Sequence, residues 1–146
     1  MKDRPIFIDT NIFVYAKLEH EQNKIKKQYA QQLLKSLKVQ IIVSTQVLNE
    51  FSNVLIRNRI DDEKIQDTLE AIIEECDVCP VDLKTVEKAW YVRIKYQFSF
   101  WDSLIVASAL GMDCSVLFTE DLQHNQIIEE KLKTINPFIG SDNGIS

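Results

Sequence analysis

The chain has 146 residues and a formal net charge of −5, and 45% of its residues are hydrophobic. These totals fit one soluble globular domain with a single core. The acidic balance weighs against a general nucleic-acid binder, whose affinity comes largely from basic contacts to phosphates. It does not weigh against a nuclease whose own acids bind metal, because bound cations reverse the local charge.

The composition also argues against a membrane or secreted protein. No apolar run approaches the roughly 18 residues that a membrane-spanning helix needs. The segment Met1–Pro5 leads straight into a short strand and lacks the apolar stretch of a signal peptide. We therefore expect a cytoplasmic protein. The three cysteines, an odd number, disfavour a disulfide framework. Cys76 and Cys79 have CxxC spacing, but they lack a second pair and are interpreted as small buried residues.

Apolar periodicity predicts alternating strands and helices along the chain. Short apolar and β-branched runs predict strands at Ile6–Ile8, Val39–Val43, Cys76–Val81, Cys114–Phe118 and Thr134–Phe138. Helical spacing predicts helices at Thr10–Leu18, Lys24–Leu37, Gln46–Arg57, Glu63–Glu75, Asp82–Tyr96 and Phe100–Gly111, and a helix or loop-helix at Leu122–Leu132. Strands separated by helices imply parallel pairing with right-handed crossovers. The pattern therefore predicts a three-layer α/β/α sandwich.

The domain organisation is expected to be simple. The chain shows no internal repeat, linker or low-complexity segment, so residues 1–139 are expected to form one domain. The last residues, 140–146, are expected to form a flexible tail.

Acidic residues follow the ends of several apolar runs. Such residues are Asp9 after the first strand, Glu50 one turn into the helix after the second, Asp102 at the start of the helix after Phe98–Trp101, and Asp121 after the strand that ends at Phe118. In an open parallel sheet these positions meet at the carboxyl edge, where ligands bind. Carboxylates gathered there repel one another unless a cation is bound. The pattern indicates a divalent metal and a phosphate substrate.

Each acid has a competing structural interpretation. Asp9 and Asp121 could cap helices, since Asp is favoured at helix N-termini. Asp102 could complete a capping box with Ser99, and Glu50 could be a surface residue on a helix. Asp82 also follows a strand and opens a helix, so spacing alone does not separate it from the others. The surroundings of Asp9 favour a site, because an ionised carboxylate between two apolar runs is costly unless it is compensated. Asn11 lies two positions after Asp9, and Thr119 lies two before Asp121.

Four segments, in this order, resemble the signature of PIN domains and especially the VapC-type toxins of prokaryotic toxin–antitoxin pairs. They are Ile8–Ile12, Thr45–Glu50, Phe100–Ala107 and Leu117–Leu122, and the likeness runs from about Ile6 to Ile139. The resemblance implies a five-stranded parallel sheet in the order 3-2-1-4-5. It also implies metal-dependent endoribonuclease activity with 5′-phosphate and 3′-hydroxyl products, a homodimer, and a small antitoxin partner.

The resemblance also assigns roles to individual residues. Asp9, Glu50, Asp102 and Asp121 match the four catalytic acids. The three aspartates are expected to hold Mg²⁺ or Mn²⁺, directly or through water. Glu50 is expected to bind a second ion or to position the attacking water. Asn11 and Thr119 match supporting polar positions, whereas Asp82 has no catalytic counterpart.

Other residues receive structural interpretations. The basic residues Lys24, Lys26, Lys27, Arg57 and Arg59 are interpreted mainly as a solvated face, with RNA phosphate contacts as the alternative. For Trp101, packing is favoured over stacking on an RNA base. Trp90 is assigned to the core or a subunit interface, and His124 to the surface.

Three other functions remain open at this point. An orphan or housekeeping PIN nuclease would act without an antitoxin. A non-cleaving RNA-binding module would not need all four acids. A phosphohydrolase with an aspartate nucleophile would carry a second Asp where Asn11 stands. The sequence leaves the RNA target and the number of metal ions open.

Overall fold

The computed structural model describes residues 3–139, and its elements follow the predicted alternation. The strands are β1 (Ile6–Ile8), β2 (Ile41–Ser44), β3 (Asp77–Cys79), β4 (Val116–Phe118), β5 (Ile127–Ile128) and β6 (Leu132–Ile135). The helices are α1 (Thr10–Lys17), α2 (Lys24–Ser36), α3 (Thr45–Arg57), α4 (Asp62–Glu75), α5 (Leu83–Tyr96) and α6 (Phe100–Gly111), with a short 3₁₀ turn at Glu21–Asn23. The expectation of a flexible tail at 140–146 falls outside the described residues and stays a prediction.

The strands form one sheet in the order β3-β2-β1-β4-β6-β5. Pairing is parallel from β3 to β6, with Phe7 of β1 opposite Ile42 of β2 and Leu117 of β4. Because β6 takes the fifth position, the expected order 3-2-1-4-5 is confirmed for the parallel strands. The sheet has six strands rather than five, because β5 adds an antiparallel edge.

Helices cover the sheet as the crossover connections require. Helix α1 contacts α2 and α3, α3 contacts α4, and α5 packs against α6, in the three-layer α/β/α arrangement that was predicted. Strand β1 lies at the centre, and all three of its residues are buried, as expected for a parallel strand covered by helices. Phe7, Phe51 and Phe138 are among the largest fully buried side chains of the core.

The segment after β4 does not form the predicted helix at Leu122–Leu132. It contains turns and the antiparallel pair β5–β6, in which Ile128 lies opposite Leu132. Both of these residues are fully buried, whereas Ile127 is exposed, so the pattern alternates as in a strand. Glu129 and Glu130 have φ values of 52° and 59°. Both residues therefore adopt the left-handed backbone conformation in this turn, where glycine or asparagine is usual. The Tyr96 hydroxyl accepts a hydrogen bond from the Glu129 amide at 2.8 Å and stabilises this turn.

The cysteines are free thiols, with Cys79 and Cys114 buried and Cys76 half-buried. Burial raises the pKa of Cys76 to about 11, so this thiol stays protonated at neutral pH. The interpretation of the CxxC pair as small buried residues is confirmed for Cys79, whereas Cys76 is only half-buried. Among residues 3–139, each helix is too short or too polar to cross a membrane.

Candidate active site

A cleft of about 630 Å³ opens at the carboxyl ends of the central strands. Its lining includes all four acids singled out in the sequence, Asp9, Glu50, Asp102 and Asp121. The strands and helices bring them together from positions up to 112 residues apart in the printed sequence. Asn11 lines the same cleft, whereas Thr119 lies buried directly beneath it in contact with Asp9.

Asp9 occupies the floor of the cleft and is only 4% exposed. Its amide donates to the carbonyl of Phe118 at 3.0 Å, which continues the pairing of β1 with β4 beyond the strand end. Its Oδ1 atom accepts from the Thr10 amide at 2.7 Å, and its Oδ2 atom from the Thr119 hydroxyl at 2.7 Å. Asp9 therefore caps α1 and belongs to the cleft, so both interpretations of this residue hold.

The surroundings of Asp9 oppose its ionisation. Burial raises the pKa of this carboxyl to about 7, and repulsion from Asp121 and Glu50 adds to the effect. The hydrogen bonds from Thr119 and Thr10 favour the charged form but only partly offset burial. A cation beside Asp9 would reverse this balance.

Glu50 reaches the cleft from the second turn of α3, a helix capped by the Ser44 hydroxyl. The Thr10 hydroxyl donates to Oε1 of Glu50 at 2.8 Å, and the Gln46 amide lies 3.4 Å from Oε2. The same Gln46 amide donates to the Trp101 carbonyl at 3.1 Å, which ties α3 to the start of α6. Sequence reasoning missed Thr10 and Gln46, although Thr10 directly follows the first acid and Gln46 lies one helical turn before the second.

Asp102 lies in the first turn of α6. Its amide donates to the Ser99 hydroxyl at 3.1 Å, so Ser99 caps the helix as the spacing predicts. The reciprocal bond of a capping box is not formed at this helix in the part of the chain that the structure describes. The Asp102 carboxyl instead lines the cleft, where burial raises its pKa and the Glu50 carboxylate raises it further.

Asp121 lies on the loop after β4, and the two predicted supporting residues hold this loop. The Asp121 amide donates to the Thr119 hydroxyl at 3.1 Å, and the Asn11 amide donates to Oδ2 of Asp121 at 3.1 Å. Oδ1 of Asn11 accepts from the Glu120 amide at 3.4 Å. Burial raises the pKa of Asp121, followed by repulsion from Asp102 and Glu120.

A second set of contacts, also missed from the sequence, anchors this loop from behind. The Glu120 carboxylate accepts from the Tyr15 hydroxyl at 2.7 Å and forms an ion pair with Lys26. Tyr15 lies one helical turn after Asn11, a spacing that places both on one face of α1. No sequence signal identifies Lys26, because it lies 94 residues from Glu120 and on another helix.

The remaining candidates occupy different environments. Asp82 caps α5 in a reciprocal capping box with Thr85 and lies outside the cleft. Nδ1 of His124 accepts from the Asn136 amide at 3.0 Å and stabilises a turn. Of the basic residues, Arg57 lines the cleft, whereas Lys27 pairs with Glu19.

The tryptophan interpretations need correction. Trp101 is 63% exposed and lines the cleft, so the packing interpretation is wrong. Trp90 is 50% exposed, which leaves the subunit-interface alternative rather than the core. The rings of Trp90 and Trp101 both contact the ring of Phe100. Phe100, rather than either tryptophan, provides the packing that the helical pattern suggested.

The donor chemistry of the cleft fits a hard divalent cation such as Mg²⁺ or Mn²⁺, which prefers oxygen ligands. Within residues 3–139, none of the four carboxylates forms an ion pair with a lysine or arginine. In the same range, no three Asp, Glu, His or Cys side chains are grouped tightly enough to hold a metal ion without moving. The acids therefore suit a cation chemically, but they would have to draw together around it.

Fold and site define a three-layer α/β/α protein with an acidic cleft at the carboxyl ends of parallel strands. A family model described as PIN domain matches residues 6–129. The chain belongs to the PIN domain family.

Solved structures with low sequence identity share this fold. A toxin–antitoxin complex from Klebsiella pneumoniae has a TM-score of 0.69 at 18% identity and covers 90% of this chain and 97% of its own. VapC20 of Mycobacterium tuberculosis, a toxin that cleaves the sarcin–ricin loop, has a TM-score of 0.63 at 22% identity, with 80% and 91% covered. VapBC2 of Rickettsia felis, bound to promoter DNA, has a TM-score of 0.64 at 20% identity, with 90% and 99% covered. A comparison with curated proteins finds no match.

Proposed function

We propose that this protein is a divalent-metal-dependent endoribonuclease that hydrolyses RNA phosphodiester bonds. The observation that carries the proposal is the convergence of Asp9, Glu50, Asp102 and Asp121 on one cleft at the strand ends. Membership of the PIN domain family supports it, as does a fold shared with the toxin that cleaves the sarcin–ricin loop. Burial and mutual repulsion raise the pKa of all three aspartates, which is the electrostatic setting that a bound cation would relieve.

In this proposal Asp9, Asp102 and Asp121 hold Mg²⁺ or Mn²⁺, directly or through water. When bound, such an ion polarises a phosphate oxygen and lowers the pKa of water. Thr119 and Thr10 keep the Asp9 carboxylate oriented on the floor of the cleft.

Glu50 either binds a second ion or orients the attacking water. Thr10 and Gln46 fix the direction of its carboxylate by hydrogen bonds to both oxygens. Acid conditions should lower activity, because protonation of the cleft carboxyls competes with cation binding.

We further propose that the protein acts in the cytoplasm as the toxin of a VapBC-type pair, restrained by a small antitoxin. The support is the fold shared with the toxin–antitoxin complexes of Klebsiella pneumoniae and Rickettsia felis. Growth arrest on induction, reversed by the product of a neighbouring small reading frame, would distinguish this role from that of an orphan nuclease.

We also propose a homodimer formed through the outer face of α5. Leu83, Trp90 and Ile94 lie on this helix and are 74%, 50% and 69% exposed, an apolar surface typical of an interface. Sedimentation of the wild type and of the double variant Leu83→Glu/Ile94→Glu tests the proposal. A monomeric wild type would rule it out.

Cleavage of single-stranded RNA by the purified protein tests the enzymatic proposal. We expect cleavage with Mg²⁺ or Mn²⁺, none in EDTA, and 5′-phosphate ends on the products. Asp9→Asn and Asp102→Asn should abolish activity. Asp82→Asn is the matched control, because Asp82 also follows a strand and opens a helix but lies outside the cleft. Full activity of either cleft variant would refute the assignment.

A further inference from the structure

Trp101 is an exposed aromatic residue directly beside a proposed metal ligand. It precedes Asp102 in the first turn of α6 and is 63% exposed. Its carbonyl accepts a hydrogen bond from the Gln46 amide, and Gln46 also contacts Glu50. The position of Trp101 is therefore fixed relative to two of the four acids.

The ring is supported without being covered. Phe100 meets it at an interplanar angle of 71°, with the ring centroids 5.8 Å apart. This edge contact restrains the indole while most of its surface stays open to solvent. Exposure of a large aromatic ring to water is unfavourable, and a restrained open ring suits stacking on a flat partner.

Trp101 also lines two adjoining depressions. One is the acidic cleft, and the other is a second depression of about 510 Å³. Gln46, Glu50 and Trp101 line both. The second depression is completed by Thr45, Asn49, Val81 and Leu104. An extended strand that occupies both depressions lies beside the three shared residues, of which Trp101 is the aromatic one.

We propose that Trp101 stacks on an unpaired nucleobase next to the scissile phosphate, and that the following nucleotide enters the second depression. This inference rests on the proposed ribonuclease function and names a residue that contacts the RNA substrate. Bases that are splayed out of a single strand stack readily on aromatic side chains, whereas paired bases inside a duplex do not reach them. The Asn49 amide and Thr45 hydroxyl offer hydrogen bonds to a base or ribose in the second depression.

A second copy of the chain is the competing occupant of the Trp101 ring. The Trp101 ring contacts the Phe100 ring. The centroid of the Phe100 ring in turn lies 5.3 Å from that of Trp90, on the exposed face of α5. The polar surroundings of Trp101 favour RNA, because Gln46, Asn49 and Glu50 border it in the second depression. The experiment must still separate the two occupants.

The first test is a kinetic cycle between protein and substrate. One RNA carries a normal base beside the scissile phosphate, and a matched RNA carries an abasic nucleotide there. We expect Trp101→Ala to raise KM for the normal RNA about fivefold or more, the size expected for the loss of one base–aromatic stack. Trp101→Phe should restore most of this loss. The abasic RNA should impair the wild type similarly and should not impair Trp101→Ala further.

Trp90→Ala provides the matched control for the KM ratio between the abasic and the normal RNA, because it removes the same kind of ring from the proposed dimer face, outside the cleft. Its response to the abasic RNA should equal that of the wild type. If the abasic nucleotide raises KM as much in Trp101→Ala as in the wild type, the two changes act independently. That result would overturn the stacking proposal while leaving the ribonuclease function intact. Absence of cleavage by the wild type would instead refute the function itself.

The second test uses fluorescence, since Trp90 and Trp101 are the two tryptophans of the chain. In the variant Trp90→Phe/Asp9→Asn, Trp101 is the single reporter and cleavage is suppressed. A single-stranded RNA should quench its emission, and the same RNA in a perfect duplex should not. Emission that shifts with protein concentration but not with RNA would show that a second copy covers Trp101, and would overturn the proposal.

Discussion

Replacement of Asp9 by asparagine is expected to stabilise the metal-free protein at neutral and higher pH. Asp9 is only 4% exposed, and its pKa of about 7 lies well above the ordinary value of 3.8. The folded protein therefore holds the proton more tightly than the unfolded chain does. The wild type should lose stability as the pH rises from about 4 through 7, the direction opposite to that of a salt-bridged aspartate.

The size of this effect follows from the same two values. The difference between 3.8 and about 7 corresponds to about 4 kcal/mol once the group is fully ionised. Between pH 5 and pH 8 the wild type should lose about 3 kcal/mol relative to Asp9→Asn. The asparagine keeps a carbonyl oxygen for the Thr10 amide, and the Thr119 hydroxyl can rotate to accept from the new amide.

Urea denaturation at both pH values, in EDTA, measures the prediction. Asp82→Asn serves as the control, because the exposed Asp82 lies outside the cleft, and it should follow the wild-type pH dependence. Added Mn²⁺ should stabilise the wild type but not Asp9→Asn. Equal loss of stability in the wild type and Asp9→Asn between pH 5 and pH 8 would refute the claim that burial raises the pKa of Asp9.

Three further substitutions test individual contacts. Thr10→Val removes the hydroxyl that holds Glu50 and should lower kcat about tenfold or more with little change in KM. Equal changes in kcat and KM would contradict this role of Thr10. Glu120→Gln breaks the ion pair with Lys26 behind Asp121, so the increase in Tm produced by Mn²⁺ should shrink, and an unchanged increase would exclude Glu120 from positioning the loop. Arg59 has a φ of 60° at an exposed position after α3, so Arg59→Gly should raise the free energy of unfolding in urea by about 0.5–1 kcal/mol. A lower free energy of unfolding would show that the Arg59 side chain stabilises the fold.

Much of the fold is predictable because its signals are local. Apolar runs such as Ile6–Ile8 mark buried parallel strands, and Ser99 marks the start of α6 by capping. The helix or loop-helix predicted at Leu122–Leu132 is instead β5 and its turn, although Glu129 and Glu130 are ordinary helix formers. Their positive φ values are imposed by the tertiary structure, including the contact with Tyr96, which a local pattern does not show.

The candidate site divides in the same way. The four acids were identifiable because strand ends meet at one sheet edge and because their segments resemble a family signature. The supporting contacts are less visible from sequence. Lys26 reaches Glu120 across 94 positions, and Gln46 reaches the Trp101 carbonyl across 55. The exposure of Trp101 was also hidden, because an aromatic residue beside an apolar helix face resembles a core residue until the packing of its neighbours is known.

Mapping of RNA 5′ ends in cells, after brief induction of the wild type or Asp102→Asn, shows directly whether the acidic cleft cleaves RNA. If the acidic cleft cleaves RNA, new 5′-phosphate ends should appear at defined unpaired positions with the wild type and be absent with Asp102→Asn. The same new ends in both strains, or none in either at equal protein levels, would contradict the claim that the cleft is a ribonuclease active site.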